Sequence, residues 1–300
     1  MKLFYVSRYL NNKTNKIWMI IWLCIIILLP ILICTGLIIK SNILLKDNSL
    51  WQLLTLKDWK PLSGKFGFLP FIISSLWVTI LALLFAGPIC LLSSIHLTQY
   101  ANNKFLKLMQ PVIDILAGIP SVIYGVWGIL VIVPFVSSRL APIFQVQTSG
   151  YSIVTGSIVL SVMIIPFILN ILIDIFNSIP KELQEASLSL GANRWYTIKH
   201  VLIRKAFPGI ISAMGLGLSR AFGETIAVLM VVGNVYAIPK GIFQPGYPLP
   251  ALIANNYGEM MSIPLYDSAL MLAALILFSI VLTFNLGSRL LIIRYEKKYK

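Results

Sequence analysis

The sequence predicts an all-α, polytopic membrane protein with six transmembrane helices. Three observations carry this prediction. Of 300 residues, 58% are hydrophobic and only 11% are charged, with a mean hydropathy of +0.88. An ordinary soluble domain carries about 25% charged residues, and a chain this poor in charge cannot cover a water-facing surface. Apolar runs repeatedly exceed the roughly 18 residues that a bilayer requires. Basic residues flank those runs and form no stripe, so the net charge of +14 reads as membrane orientation and contact with anionic lipid, not as a nucleic-acid footprint.

The six runs fall at about 17–39, 68–95, 109–135, 152–177, 206–235 and 266–293. The first follows a basic N-terminus, as a signal peptide would. Its apolar core is too long for a signal h-region and no A-x-A-like site follows it cleanly, so an uncleaved anchor is expected. With the N-terminus in the cytoplasm, the inside segments hold Lys2, Arg8, Lys13 and Lys16, then Lys104 and Lys107, then Lys181, Arg194, Lys199, Arg204 and Lys205, then Arg289, Arg294, Lys297, Lys298 and Lys300. The outside segments hold Lys40, Lys46, Lys57, Lys60 and Lys65 in the first loop, with Arg139 and Lys240 further on. This bias places both termini in the cytoplasm; the first-loop lysines are its discordant part. Pro111, Pro120, Pro134 and Pro166 lie in or beside spans, as bends or as inert kinks.

The fifth run carries Arg220 and Glu224. An arginine at mid-bilayer costs about 2.5–3.5 kcal/mol on insertion scales, so such a residue needs partners or a function. The spacing of four puts both groups on one face if the helix is continuous. Gly209, Ala213, Gly217 and Ala221 lie near that face at ~100° per residue, and Gly215, Ser219 and Gly223 form a second small-residue stripe. Small residues four apart let helices approach closely, so Arg220 and Glu224 are expected to face protein, not lipid. The guanidinium fork suits a tetrahedral oxyanion, and Glu224 could hold Arg220 between substrates. A structural ion pair that locks two helices is the alternative.

The cytoplasmic stretch 178–205 is the second feature. Ser178 and Pro180 mark a helix start, Leu183, Ala186, Leu190 and Gly191 can share one face, and Gly191 permits a sharp turn. Such a short amphipathic helix suits docking on a soluble partner or lying on the membrane surface. Elsewhere, Cys24, Cys34 and Cys90 lie within apolar runs without metal-ligand spacing, and His96 and His200 are isolated, so no metal site is expected. Asp114 and Asp174 sit near expected cytoplasmic span ends. No GxxxxGK loop and no nucleophile–base arrangement stands out, so neither ATP binding nor catalysis is expected of this chain.

Together these residues resemble the permease subunits of bacterial ABC importers. Their EAA loop is matched by Glu185-Ala186-Ser187, Gly191 and Trp195, whereas Ile203-Arg204 stands where the family has Leu-Pro. Within the family the chain is similar to phosphate permeases of the PstC class, through Ile119–Gly128 with Tyr124 and Trp127, Arg220–Val228 with Gly233 and Asn234, Ala251–Asn255 and Ala274–Phe278. The resemblance spans about 68–295, leaving 1–67 as a cytoplasmic tail, first span and external loop. It implies a MetI-like permease fold in the bacterial inner membrane, with phosphate as substrate. It also implies a PstA-like second permease, a PstB-like ATPase dimer holding ATP and Mg2+, a PstS-like phosphate-binding protein, and no cofactor on this chain. Arg220, Glu224 and Thr225 would line the pathway, and Glu185, Ala186, Ser187 and Gly191 would couple to the ATPase. Another oxyanion such as molybdate or sulfate, or a phosphate-status signalling subunit, are the alternatives.

Overall fold

The computed structural model describes residues 2–260 and 263–299. The side chains of residues 1–14, 47, 62, 103, 259–262 and 298–300 lie outside the described set. Those of Lys2, Arg8, Lys13, Lys298 and Lys300, counted above for orientation, are therefore not placed.

Among the described residues, six helices are long and apolar enough to cross a membrane. Helix α1 (Lys2–Asp47) presents its apolar stretch wholly to the outside of the chain. It meets the bundle at its far end, where Leu44 is buried, its N–H donates to Ser268 Oγ (3.0 Å) and Lys40 pairs with Asp267 (3.9 Å). A short helix α2 (Leu50–Thr55) and a two-strand hairpin, β1 (Trp59–Lys60) and β2 (Lys65–Phe66), follow. Trp59 packs edge-on against Phe66, Phe68, Phe71 and Tyr266, with ring centroids 5.0–5.9 Å apart. Aromatic pairs prefer this geometry because a positive ring edge meets a negative face. The result is a buried cap over one end of the bundle.

Helix α3 (Leu69–Tyr100) packs along α6 (Ile153–Asn177) at the centre of the molecule. Between them run α4 (Asn103–Gly118) and α5 (Ser121–Ile143). The continuous span expected at 109–135 is not observed. The chain breaks at Ile119-Pro120: Pro120 has no N–H to offer, and its ring holds Ile119 extended (φ −65°, ψ 128°). Helix α4 is amphipathic and stands apart as its own element, while α5 runs on to Ile143. Tyr124 ties the two together by donating to Leu116 O (2.8 Å).

After α6 come the short α7 (Lys181–Ser189), the long α8 (Arg194–Gly223) and the six-residue α9 (Ile226–Val231). The span expected at 206–235 ends at Gly223, and Glu224 is extended (φ −75°, ψ 123°). Residues 232–248 then roof the start of α6, where the Gln244 and Ile242 carbonyls accept from Ile153 N and Val154 N (2.9 and 2.8 Å). A helix start leaves its first N–H groups without intrahelical partners, and this loop supplies them. Two serines of α3 do the same for the returning chain: Ser74 Oγ accepts from Tyr247 N (3.1 Å) and Ser75 Oγ from Leu249 N (2.8 Å). Helix α10 (Leu249–Met260) and the final span α11 (Pro264–Tyr299) complete the fold.

Candidate functional site

Arg220 is placed by glycine. A Cβ added at Gly217 would lie 2.6 Å from Ile168 Cγ1, and one at Gly209 would lie 2.8 Å from Ile175. Only a hydrogen side chain allows α8 to lie so close to α6. The second small-residue stripe seats α11: a Cβ at Gly215 would come 2.8 Å from Ser288 Oγ, and Ser219 donates to Asn285 Oδ1 (2.9 Å). Both stripes therefore pack helices, as expected. Arg220 is nevertheless exposed in this chain, whereas the small-residue stripe predicts that it faces protein. It stands beside the packed seam, with its guanidinium carbon 4.8 Å above the Phe167 ring. The ring's negative face attracts the cation without using its N–H donors.

Glu224 is not on the same helical turn. Gly223 ends α8, and Glu224 Oε1 accepts from Ala227 N (3.2 Å) at the start of α9. Thr225 donates weakly to Gly223 O (3.4 Å). Among the described residues Arg220 and Glu224 form no ion pair within 4.0 Å. The readings that Glu224 holds Arg220, or that the two lock helices, are both set aside for this conformation. The signal for the break was present in the sequence: a glycine stop followed by a side chain able to cap the next helix.

Glu224 borders a cleft shared with Ser75, Thr79, Pro248 and Pro250. Its volume of about 10 Å³ is on the scale of a single water, too small for a tetrahedral anion. Arg220 instead looks onto the open side of the chain. Asn170, one helical turn from Phe167 on α6, donates to the exposed Asp114 (2.9 Å). Neither was singled out from the sequence as a site residue, because the pair forms across α4 and α6.

The 178–205 stretch forms two helical arms joined by a tight turn. Gly191 adopts φ +84°, which allows the chain to reverse after α7. Asn193 Oδ1 then caps α8 by accepting from Tyr196 N (2.7 Å), and Ser187 and Thr197 share a hydrogen bond (2.9 Å) that ties the two arms. A groove of about 720 Å³ lies between them, lined by Leu183, Ala186, Leu190, Gly191 and Tyr196. Leu190 is 90% exposed at its rim. Glu185, Ala186 and Gly191 are exposed, and Ser187 is half-buried. His200 stacks on Tyr196 (4.1 Å between ring centroids). Among the described residues no three His, Cys, Asp or Glu side chains are grouped to hold a metal ion.

Residues 88–295 match the family described as binding-protein-dependent transport system inner membrane component. The chain belongs to this family. The permease is 42% identical over 245 residues to the probable ABC transporter permease protein YqgH of Bacillus subtilis, covering 79% of this chain and 78% of that protein. It is 35% identical over 255 residues to the phosphate transport system permease protein PstC of Pasteurella multocida, covering 80% and 79%. The fold of the permease superposes on a chain of the MetNI methionine ABC transporter in an inward-facing conformation, with TM-score 0.60, 18% identity and coverage of 79% and 99%. An alginate ABC importer follows at TM-score 0.51, 19% identity and coverage of 82% and 92%. The permease is thus a multi-pass membrane protein with the ABC importer permease fold.

Proposed function

We propose that this permease is one half of the translocation pathway of an ATP-driven importer for inorganic phosphate. The observation that carries the proposal is Arg220, a fixed positive charge at the end of a membrane-spanning helix, held on Phe167 and exposed. A guanidinium offers paired N–H donors to paired phosphate oxygens. The similarity to permeases named for phosphate transport supports the choice of anion.

In this reading a PstA-like permease supplies the opposite wall. Glu224 and Thr225 shape the pathway beside Arg220 through the break between α8 and α9. A PstB-like ATPase dimer, holding ATP and Mg2+, docks on the groove around Glu185, Ala186, Ser187 and Gly191, so that its closure moves α7 against α8. A PstS-like protein delivers phosphate from outside, both termini lie in the cytoplasm, and residues 68–295 form the transport unit behind a leading segment 1–67. No catalytic group or cofactor is assigned to this chain.

The test is labelled-phosphate uptake in cells with no other phosphate route, at matched permease levels. Arg220→Ala is expected to abolish uptake and Arg220→Lys to retain a part of it. Undiminished uptake by Arg220→Ala would sink the assigned role. Competition by molybdate or sulfate as strong as that by unlabelled phosphate would reassign the substrate.

A further inference from the structure

The external cap carries lysines that transport leaves without a role, above an apolar groove at membrane depth. The hairpin register places Lys60 directly opposite Lys65, and both are exposed. Like charges opposed across a ladder destabilise it, so the pair calls for an anionic counterpart. Lys46 and Lys57 flank α2 in the same cap, and among the described residues neither they nor the hairpin lysines form an ion pair. The acid nearest in sequence with a described side chain, Asp58, is itself exposed.

Below α2 lies a groove of about 420 Å³ between α2, α3 and α11, lined by Leu54, Leu76, Ile276 and Phe284 among other apolar residues. Its hydroxyls are spent on their own helix: Ser279 donates to Leu275 O (2.8 Å) and Thr283 to Ser279 O (2.7 Å). Nothing in the groove selects a polar ligand. It runs from Leu272 to Phe284, about 18 Å at the helical rise, close to the roughly 15 Å of one leaflet's hydrocarbon. Trp51, 73% exposed on α2, marks the interface level.

We infer that this region binds one anionic phospholipid of the outer leaflet, with an acyl chain in the groove and the headgroup beneath Lys57, Lys60 and Lys65. The inference rests on the orientation proposed above, not on the substrate. An acidic protein surface could use the lysines, but it would have no use for a chain-length groove.

The experiment is native mass spectrometry of the intact, delipidated transporter titrated with phosphatidylglycerol and with phosphatidylcholine. Retention of one phosphatidylglycerol in preference to phosphatidylcholine is expected. Replacing Lys60→Gln and Lys65→Gln is expected to weaken phosphatidylglycerol about five-fold per lysine at low salt and to leave phosphatidylcholine unchanged. Ile276→Trp, or Leu54→Trp should the first fail to assemble, is expected to exclude both lipids. An unchanged lipid preference in the lysine variants, or occupancy indifferent to a filled groove, would overturn the assignment. So would lysine variants that lose an acidic external protein while keeping the lipid. Labelling Lys65→Cys with a membrane-impermeant thiol reagent separates a failure of the orientation from a failure of the site.

Discussion

Gly217→Ala asks whether close approach of α8 to α6 positions Arg220. The new Cβ would lie 2.6 Å from Ile168 Cγ1, where carbon atoms prefer about 3.5–4.0 Å. Either the helices separate by about 1 Å or Ile168, fully buried in the core, leaves its place. Overpacking of this kind costs about 1–3 kcal/mol, and alanine's better helix propensity returns about 1 kcal/mol. The net loss is about 0–2 kcal/mol. Gly36→Ala is the reference: its Cβ meets nothing within 4 Å, so only the gain applies there. The two variants should therefore differ by about 1–3 kcal/mol, read as thermal unfolding midpoints of the purified complex. The functional effect should exceed the stability effect, because Ile168 adjoins Phe167 and Gly217 lies three residues before Arg220. A double-mutant cycle with Ile168→Ala should show the pair less damaging than the sum of its parts. Gly217→Ala as stable as Gly36→Ala, or an additive cycle, would refute the reasoning.

Phe167→Leu removes the ring beneath Arg220 and should raise the KM for phosphate uptake about two- to five-fold, the equivalent of about 0.5–1 kcal/mol for an exposed cation–π contact; an unchanged KM would deny the pedestal a role. Gly191→Val should reduce transport-coupled ATPase activity because the cost of its φ of +84° falls on a β-branched residue, whereas Gly191→Asn should be milder. Since a Cβ at Gly191 meets nothing within 4 Å, equal damage from both variants would point to lost partner contact, not strain. Tyr247→Phe removes the acceptor for Asn255 Nδ2 (2.8 Å) in the cap. Because Asn255 is exposed and water can replace the lost acceptor, stability should fall by no more than about 0.5–1.5 kcal/mol, the net worth of one hydrogen bond, measured as a slightly lower unfolding midpoint with transport per folded complex retained.

The span count was legible because hydropathy and flanking charge act over whole segments. Two boundaries were harder to place: at Ile119-Pro120 apolar residues continue across the break, and at Gly223-Glu224 the local stop signal is outweighed by the long apolar stretches on either side. Proline within a span also fits an unbroken kinked helix, so Pro120 alone does not fix the first break. The small stripes of α8 were legible from spacing alone, since one helix contains them. Arg220 was legible as a charge in an apolar run. Its seat on Phe167 and the Asn170–Asp114 pair were not, because they join separate spans and no periodicity relates them. The expected Arg220–Glu224 contact failed for a related reason: it assumed a helix that Gly223 terminates.

Ser75 has a consequence for the order of assembly. Its hydroxyl donates to Phe71 O (2.8 Å) on its own helix while accepting from Leu249 N (2.8 Å). Helix α3 is synthesised some 170 residues before its partner exists, and through that interval the hydroxyl proton already has an acceptor. A stranded hydroxyl in hydrocarbon would oppose early entry of the helix into the bilayer. Ser75 can therefore enter satisfied and keep its lone pairs for a chain that arrives later. Ser75→Ala should leave insertion of α3 intact and delay only the docking of residues 247–249, seen as protease sensitivity confined to that return segment; loss of α3 insertion would contradict it.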